Sequence, residues 1–168
     1  MSRATRSILA FVRRLLPDRM LKPIGHSKRG AMPFSESEIK LVALVLSDWD
    51  RALLSRIAAE HRWAIHFART CDEAWEALNE RKAQIILCER EVAGMDWRPV
   101  IRKMVSAPHL VCAILISNVT DDYLWNEVVS RGGHDVLATP LREENVLRAI
   151  RLAWLYWNSA RKYNAGVA

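Results

Sequence analysis

Residues Ala83 to Trp97 read AQIILCEREVAGMDW. An apolar run, Ile85-Ile86-Leu87-Cys88, ends abruptly at Glu89, and a loop follows that carries Gly94-Met95-Asp96. A four- to six-residue apolar run closed by an acid and a glycine-bearing loop reads as a parallel strand buried on both faces. Its carboxyl end then carries a polar group.

Working outward, the same pattern recurs. Leu41 to Leu46 (LVALVL) and Leu110 to Ile116 (LVCAILI) are apolar runs of strand length, Trp63 to Ala68 is a weaker one, and Asp135 to Ala138 is a short fifth. Helical segments separate them. Asp50 to His61 places Leu53, Leu54, Ile57 and Ala58 on one face. Thr70-Cys71-Asp72-Glu73 is a capping box that opens a helix to about Arg81. A helix from about Arg98 to Ser106 has Pro99 in its first turn. Asp121 or Asp122 caps a helix to Arg131, which Gly132-Gly133 ends. The last helix runs from Glu143 to about Ser159, with Leu147, Ile150, Trp154 and Trp157 as its core stripe. Strands that alternate with helices predict an α/β domain with a parallel sheet covered on both faces.

In such a sheet, function sits beyond the carboxyl ends of the strands. Those ends read Ser47-Asp48-Trp49-Asp50, Glu89, Ser117-Asn118 and Ala138-Thr139-Pro140. In order and spacing they resemble the landmarks of the two-component receiver domain, the response-regulator module phosphorylated by sensor kinases, over about residues 40–158. The resemblance implies a flavodoxin-like, doubly wound, five-stranded sheet of order 2-1-3-4-5. It implies an acidic pair at Ser47 and Asp48, one acid lost; a phospho-acceptor position at Glu89, an aspartate in the family; and switch positions at Ser117, Val136, Thr139 and Pro140. The family's lysine becomes Thr139 and its aromatic becomes Val136.

These departures bear on chemistry. Phosphoryl transfer needs a metal ion and a fixed cation to neutralise charge while an oxygen nucleophile lines up. Mg²⁺ needs near-octahedral oxygen ligands, and only Asp48 and Glu89 remain to hold it, weakly. The chain therefore reads as a non-enzymatic, stand-alone atypical receiver that signals through protein–protein interaction, with phosphorylation lost or fixed and no required cofactor. The alternative is a residual phospho-acceptor using Glu89 with Mg²⁺ in a phosphorelay. The resemblance implies a protein partner, such as a histidine kinase or another signalling protein. It also implies homodimer contact through the fourth-helix to fifth-helix face, where Leu152, Leu155 and Tyr156 form a second apolar group. Trp49 and Trp97 flank the expected pocket.

The formal charge of +6 is unevenly placed. Residues 1–30 carry eight basic residues against Asp18, a net +7, which leaves −1 for the rest. The body is neutral, and nothing in it points to nucleic acid. Residues 1–16 form an amphipathic pattern, with Ile8, Phe11, Val12 and Leu15 opposite Arg13 and Arg14. Such a helix fits an anionic membrane surface or a partner protein, so a membrane-surface adaptor is a further alternative. Residues 1–38 read as this basic helix plus a linker rich in Pro and Gly, 39–159 as the domain, and 160–168 as a tail too short for an output domain. Cys71, Cys88 and Cys112 lack paired spacing and read as reduced thiols of a cytoplasmic protein. The five histidines fall in no metal-binding spacing.

Overall fold

The structure, a computed structural model, describes residues 39–92 and 94–165. The readings made for residues 1–38, including the helix of Ile8, Phe11, Val12, Arg13, Arg14 and Leu15, lie outside the described residues. Five strands alternate with five helices: β1 (Lys40–Leu44), α1 (Asp48–His61), β2 (Ala64–Ala68), α2 (Cys71–Arg81), β3 (Ile85–Glu89), α3 (Trp97–Val105), β4 (Cys112–Ser117), α4 (Asp122–Ser130), β5 (Asp135–Ala138) and α5 (Glu143–Ala165). All strand pairs are parallel, and the sheet order is β2-β1-β3-β4-β5. This is the expected flavodoxin-like order.

The alternation of side chains along each strand divides the core in two. Leu41, Ala43, Val45, Ile85, Leu87, Ile114 and Ile116 pack with Leu54 and Ile57 of α1 and with Val146, Ile150 and Trp154 of α5. Val42, Leu44, Ile86, Cys88, Ala113 and Leu115 face Ala74 and Leu78 of α2, Ile101 and Met104 of α3, and Leu124 and Val128 of α4. The central strands read as unbroken apolar runs because both of their faces are dry.

Caps start α2 and α4 where the sequence placed them. The Glu73 amide donates to Thr70 Oγ1 at 3.1 Å, and the Glu73 carboxylate accepts from the Arg69 amide at 2.8 Å. Asp121 caps α4 through the Leu124 amide at 2.7 Å. Asp96 caps α3, just after Gly94 has turned the loop with a φ of 74°.

Helix α1 starts at Asp48, two residues before the expected Asp50, β4 starts at Cys112, two after Leu110, and two further boundaries differ from expectation. Helix α5 continues past Ser159 to Ala165, so most of the expected tail is helical. No proline or glycine interrupts it before Gly166, and the Ser159 hydroxyl donates to Leu155 O at 2.8 Å. Strand β1 stops at Leu44, two residues before its apolar run ends. Side chains take over the last two residues' backbone groups: Arg51 donates to Val45 O at 2.9 Å, and the Leu46 amide donates to Glu89 at 2.7 Å.

Candidate functional site

The carboxyl ends of β1, β3, β4 and β5 enclose an open hollow of about 290 Å³, lined by Leu46, Glu89, Arg90, Glu91, Ile116, Ser117, Asn118 and Thr139. Glu89 closes β3, and its carboxylate turns toward β1, where Oε2 accepts from the Leu46 amide. Ser117 closes β4 and is buried. Its hydroxyl accepts from the Val119 amide at 3.0 Å, and its carbonyl accepts from the Thr139 amide at 3.0 Å. Thr139 and Pro140 follow β5 through a cis peptide bond. Three of the expected positions, Glu89, Ser117 and Thr139, thus come together around one hollow.

The expected acidic pair does not join them. Ser47 is the N-cap of α1, with its hydroxyl accepting from the Asp50 amide at 3.3 Å, and Asp48 is the exposed first residue of that helix. The register explains the displacement. Leu44 pairs with Cys88, so the next residues on the two strands, Val45 and Glu89, stand level. Val45 and Leu46 therefore hold the strand-end positions beside Glu89. Two hydrocarbons stand there, rather than one acid and one hydroxyl.

This donor set does not fit Mg²⁺. The ion needs oxygen on about six sides. Val45 and Leu46 offer no side-chain oxygen, one oxygen of Glu89 is spent on the Leu46 amide, and Asp48 is not among the hollow's lining residues. Besides Glu91, the lining offers only the neutral oxygens of Ser117, Asn118 and Thr139, with the Arg90 cation beside them. Among the described residues, no three His, Cys, Asp or Glu side chains gather as a metal site. Below Glu89, burial holds the Cys88 thiol well above its ordinary range, and it raises Cys112 to about 12, so both are protonated fillers of the core.

Several residues take other places than expected. Trp97 is buried in the α2–α3–α4 side of the core, whereas Trp49 is 75% exposed. Val136 is half-buried against the same core side and carries no group that could report on the hollow. Of the apolar group on α5, Leu155 is exposed and Leu152 half-buried. Tyr156 instead packs on the core and against the His134 ring, with centroids 5.4 Å apart. The stripe of Ile150, Trp154 and Trp157 is core, as expected, and Trp157 Nε1 donates to Leu110 O at 2.8 Å.

Asp50 escaped the sequence reading. It is buried, and its Oδ1 accepts from the Leu141 amide at 3.2 Å, tying α1 to the loop after β5. The signal was an acid at i, i+4, i+7 spacing with Leu54 and Ile57 on the apolar face of α1. A clamp between α3 and α4 also went unread. Arg98 grips Glu127 with two bonds, 2.7 and 3.1 Å, and Arg131 adds a third at 3.1 Å. Both guanidiniums lie over the Trp97 ring, at 5.0 and 5.7 Å.

No family model matches the chain, and no curated protein matches it. Solved structures do. A chemotaxis protein of Vibrio cholerae, CheY4, superposes with a TM-score of 0.62 at 15% identity, over 69% of this chain and 98% of its own. The fold is that of a receiver domain. The signal receiver domain of an HD-domain-containing protein from Pseudomonas fluorescens aligns at 18% identity and a TM-score of 0.65, over 73% and 98% of the two chains. A co-crystal structure of the Saccharomyces cerevisiae histidine phosphotransfer protein Ypd1 with the receiver domain of the response regulator Ssk1 matches at 13% identity and 0.59, over 67% and 86%. Within this fold, the hollow lies at the carboxyl ends of the strands. No described helix is long and apolar enough to cross a membrane.

Proposed function

We propose that this chain is a receiver-fold signalling module that acts by binding a protein partner, with its phosphorylation switch lost or fixed. The observation that carries this reading is the bond from the Leu46 amide to Glu89 Oε2. It pins the carboxylate of the last β3 residue to a strand end made of hydrocarbon. Phosphoryl transfer requires charge neutralisation around an aligned oxygen nucleophile, and a displacement of about 1 Å costs on the order of 100-fold in rate. Thr139 supplies no charge where the family resemblance implies a lysine.

The co-crystallised pair of a phosphotransfer protein and a receiver domain supports a protein as the binding partner. A kinase, a phosphotransfer protein or another signalling protein would suit a module of this fold. The residual phospho-acceptor reading draws its support from Arg90, a cation on the hollow's wall.

Amide spectra recorded with Mg²⁺ and either acetyl phosphate or beryllofluoride separate the two. The proposal expects no localised change. Localised shifts at Glu89, Ser117 and Thr139 would overturn it in favour of the residual acceptor.

A further inference from the structure

Exposed apolar side chains follow the carboxyl ends of three strands, on the edge of the sheet that carries the hollow. Leu46 and Trp49 follow β1, Met95 follows β3, and Val119 and Tyr123 follow β4. Trp49 and Tyr123 are the extremes, 75% and 74% exposed. Among the described residues only two other large apolar side chains are exposed, Leu110 and Leu155. Apolar surface concentrated in this way marks an interaction site, and Trp and Tyr are favoured anchors there.

The same edge is acidic. Asp48, Glu89, Glu91, Asp121 and Asp122 stand on it, and none is ion-paired among the described residues. The N-termini of α1, α3 and α4 are already closed by Ser47, Asp96 and Asp121. Arg90 is the one cation among the hollow's lining residues, beside two carboxylates. Glu89 spends one oxygen on the Leu46 amide and turns the rest of its carboxylate to the hollow.

We infer that this edge docks a basic amphipathic helix of a partner protein, whose apolar face meets Trp49, Leu46, Val119 and Tyr123 while an arginine or lysine enters the hollow and pairs with Glu89. The hollow's walls of Leu46 and Ile116 suit the aliphatic stem of such a side chain, and its acids suit the charged head. The partner thus supplies in trans the cation that Thr139 does not. The inference rests on the reading that no phosphoryl group occupies the hollow.

The test uses the full chain, without Mg²⁺ or phosphodonor, and an amphipathic leucine–arginine helical peptide with a leucine–glutamate counterpart. The arginine peptide is expected to shift the amides of Leu46, Glu89, Val119 and Thr139 and the indole of Trp49. Glu89→Gln keeps an acceptor for the Leu46 amide and is expected to weaken binding about tenfold, the scale of one charge-assisted hydrogen bond. Trp49→Ala removes an exposed anchor and is expected to do the same; urea melts of both variants check that the fold is intact. Equal binding of the glutamate peptide, shifts confined to other faces, or undiminished binding by Glu89→Gln would overturn the inference. So would a peptide-independent dimer dissolved by Trp49→Ala, which would assign the edge to a second copy of the chain. Beryllofluoride shifts test the reading that phosphorylation is lost, and the peptide titration, run without Mg²⁺ or phosphodonor, reads the docking edge directly, so the two failures are distinguishable.

Discussion

Shortening one side chain tests whether Glu89 holds the end of β1. In Glu89→Asp the charge is kept and one methylene is lost. The carboxylate withdraws by roughly 1.3 Å, which opens the present 2.7 Å contact with the Leu46 amide to about 4 Å, beyond hydrogen-bond range. A hydrogen bond to a charged acceptor contributes about 1.5–3 kcal/mol when water cannot replace it. This one borders an open hollow, so about 1 kcal/mol is the expected loss. That is about a fivefold change in a local opening equilibrium. Hydrogen exchange read by NMR is the assay: the Leu46 amide should exchange about fivefold faster, with β4 and β5 unchanged. Glu89→Gln, which keeps the reach, should retain most of the protection. Unaltered exchange at Leu46, a uniform rise across the sheet, or equal losses in the Asp and Gln variants would each refute the argument from reach.

Other expectations follow from the ionisable groups and the core. Arg98 holds the Glu127 carboxyl below the ordinary glutamate range. A folded pKa below the unfolded one gives stability that is present above the unfolded pKa and lost as pH falls through the folded one. Wild type should therefore exceed Glu127→Gln in thermal midpoint at neutral pH, with the gap closing in acid; a pH-independent gap would contradict this. Burial pushes the His134 imidazole down to about 4. Stability should then decline as pH falls from about 6.5 to 4, by up to about 3 kcal/mol. Burial raises the neighbouring Asp135 carboxyl and opposes this trend, so the difference between wild type and His134→Gln in urea melts isolates the histidine. Val45→Asp places a carboxylate in the α1–α5 side of the core and should cost several kcal/mol, against about 5–15 kcal/mol for a whole domain; a midpoint within one degree of wild type would refute that burial.

The sheet was legible because its strands differ from its helices in period. Uniform apolar runs such as LVALVL and LVCAILI fit a strand dry on both faces, and the Thr70 box and Asp121 cap mark helix starts through local hydrogen bonds. The point where β1 stops was not legible. Six consecutive hydrocarbons give no sign that the ladder ends after Leu44, because two distant side chains decide it: Arg51 takes Val45 O, and Glu89, 43 residues away, takes the Leu46 amide. The acidic pair was therefore read two residues too late. Tyr156 was misplaced for a similar reason, since its partner His134 comes from the turn before β5 rather than from its own helix. Trp49 and Trp97 occupy equivalent places in sequence, each in the first turn of the helix after a strand. Packing alone sends one into the core and the other into solvent.

The corrected register changes which substitution matters most. With Ser47 and Asp48 as the acidic pair, the pocket would have lost one acid, and Glu89→Asp with Thr139→Lys would nearly rebuild a receiver site. With Val45 and Leu46 beside Glu89, the reversion must also place carboxylates on β1, and the two positions are not equivalent. Leu46 is exposed, so an acid there meets water. Val45 is fully buried in the core cluster of Leu54, Ile57 and Ile150, so an acid there meets hydrocarbon and pays for desolvation. On the proposed reading, packing around β1 is a larger barrier to phosphorylation chemistry than the extra methylene of Glu89. Glu89→Asp and Thr139→Lys combined should still give no Mg²⁺-dependent labelling by acetyl phosphate. Gain of labelling by that pair of substitutions would show that Val45 and Leu46 do not stand where the acids are needed.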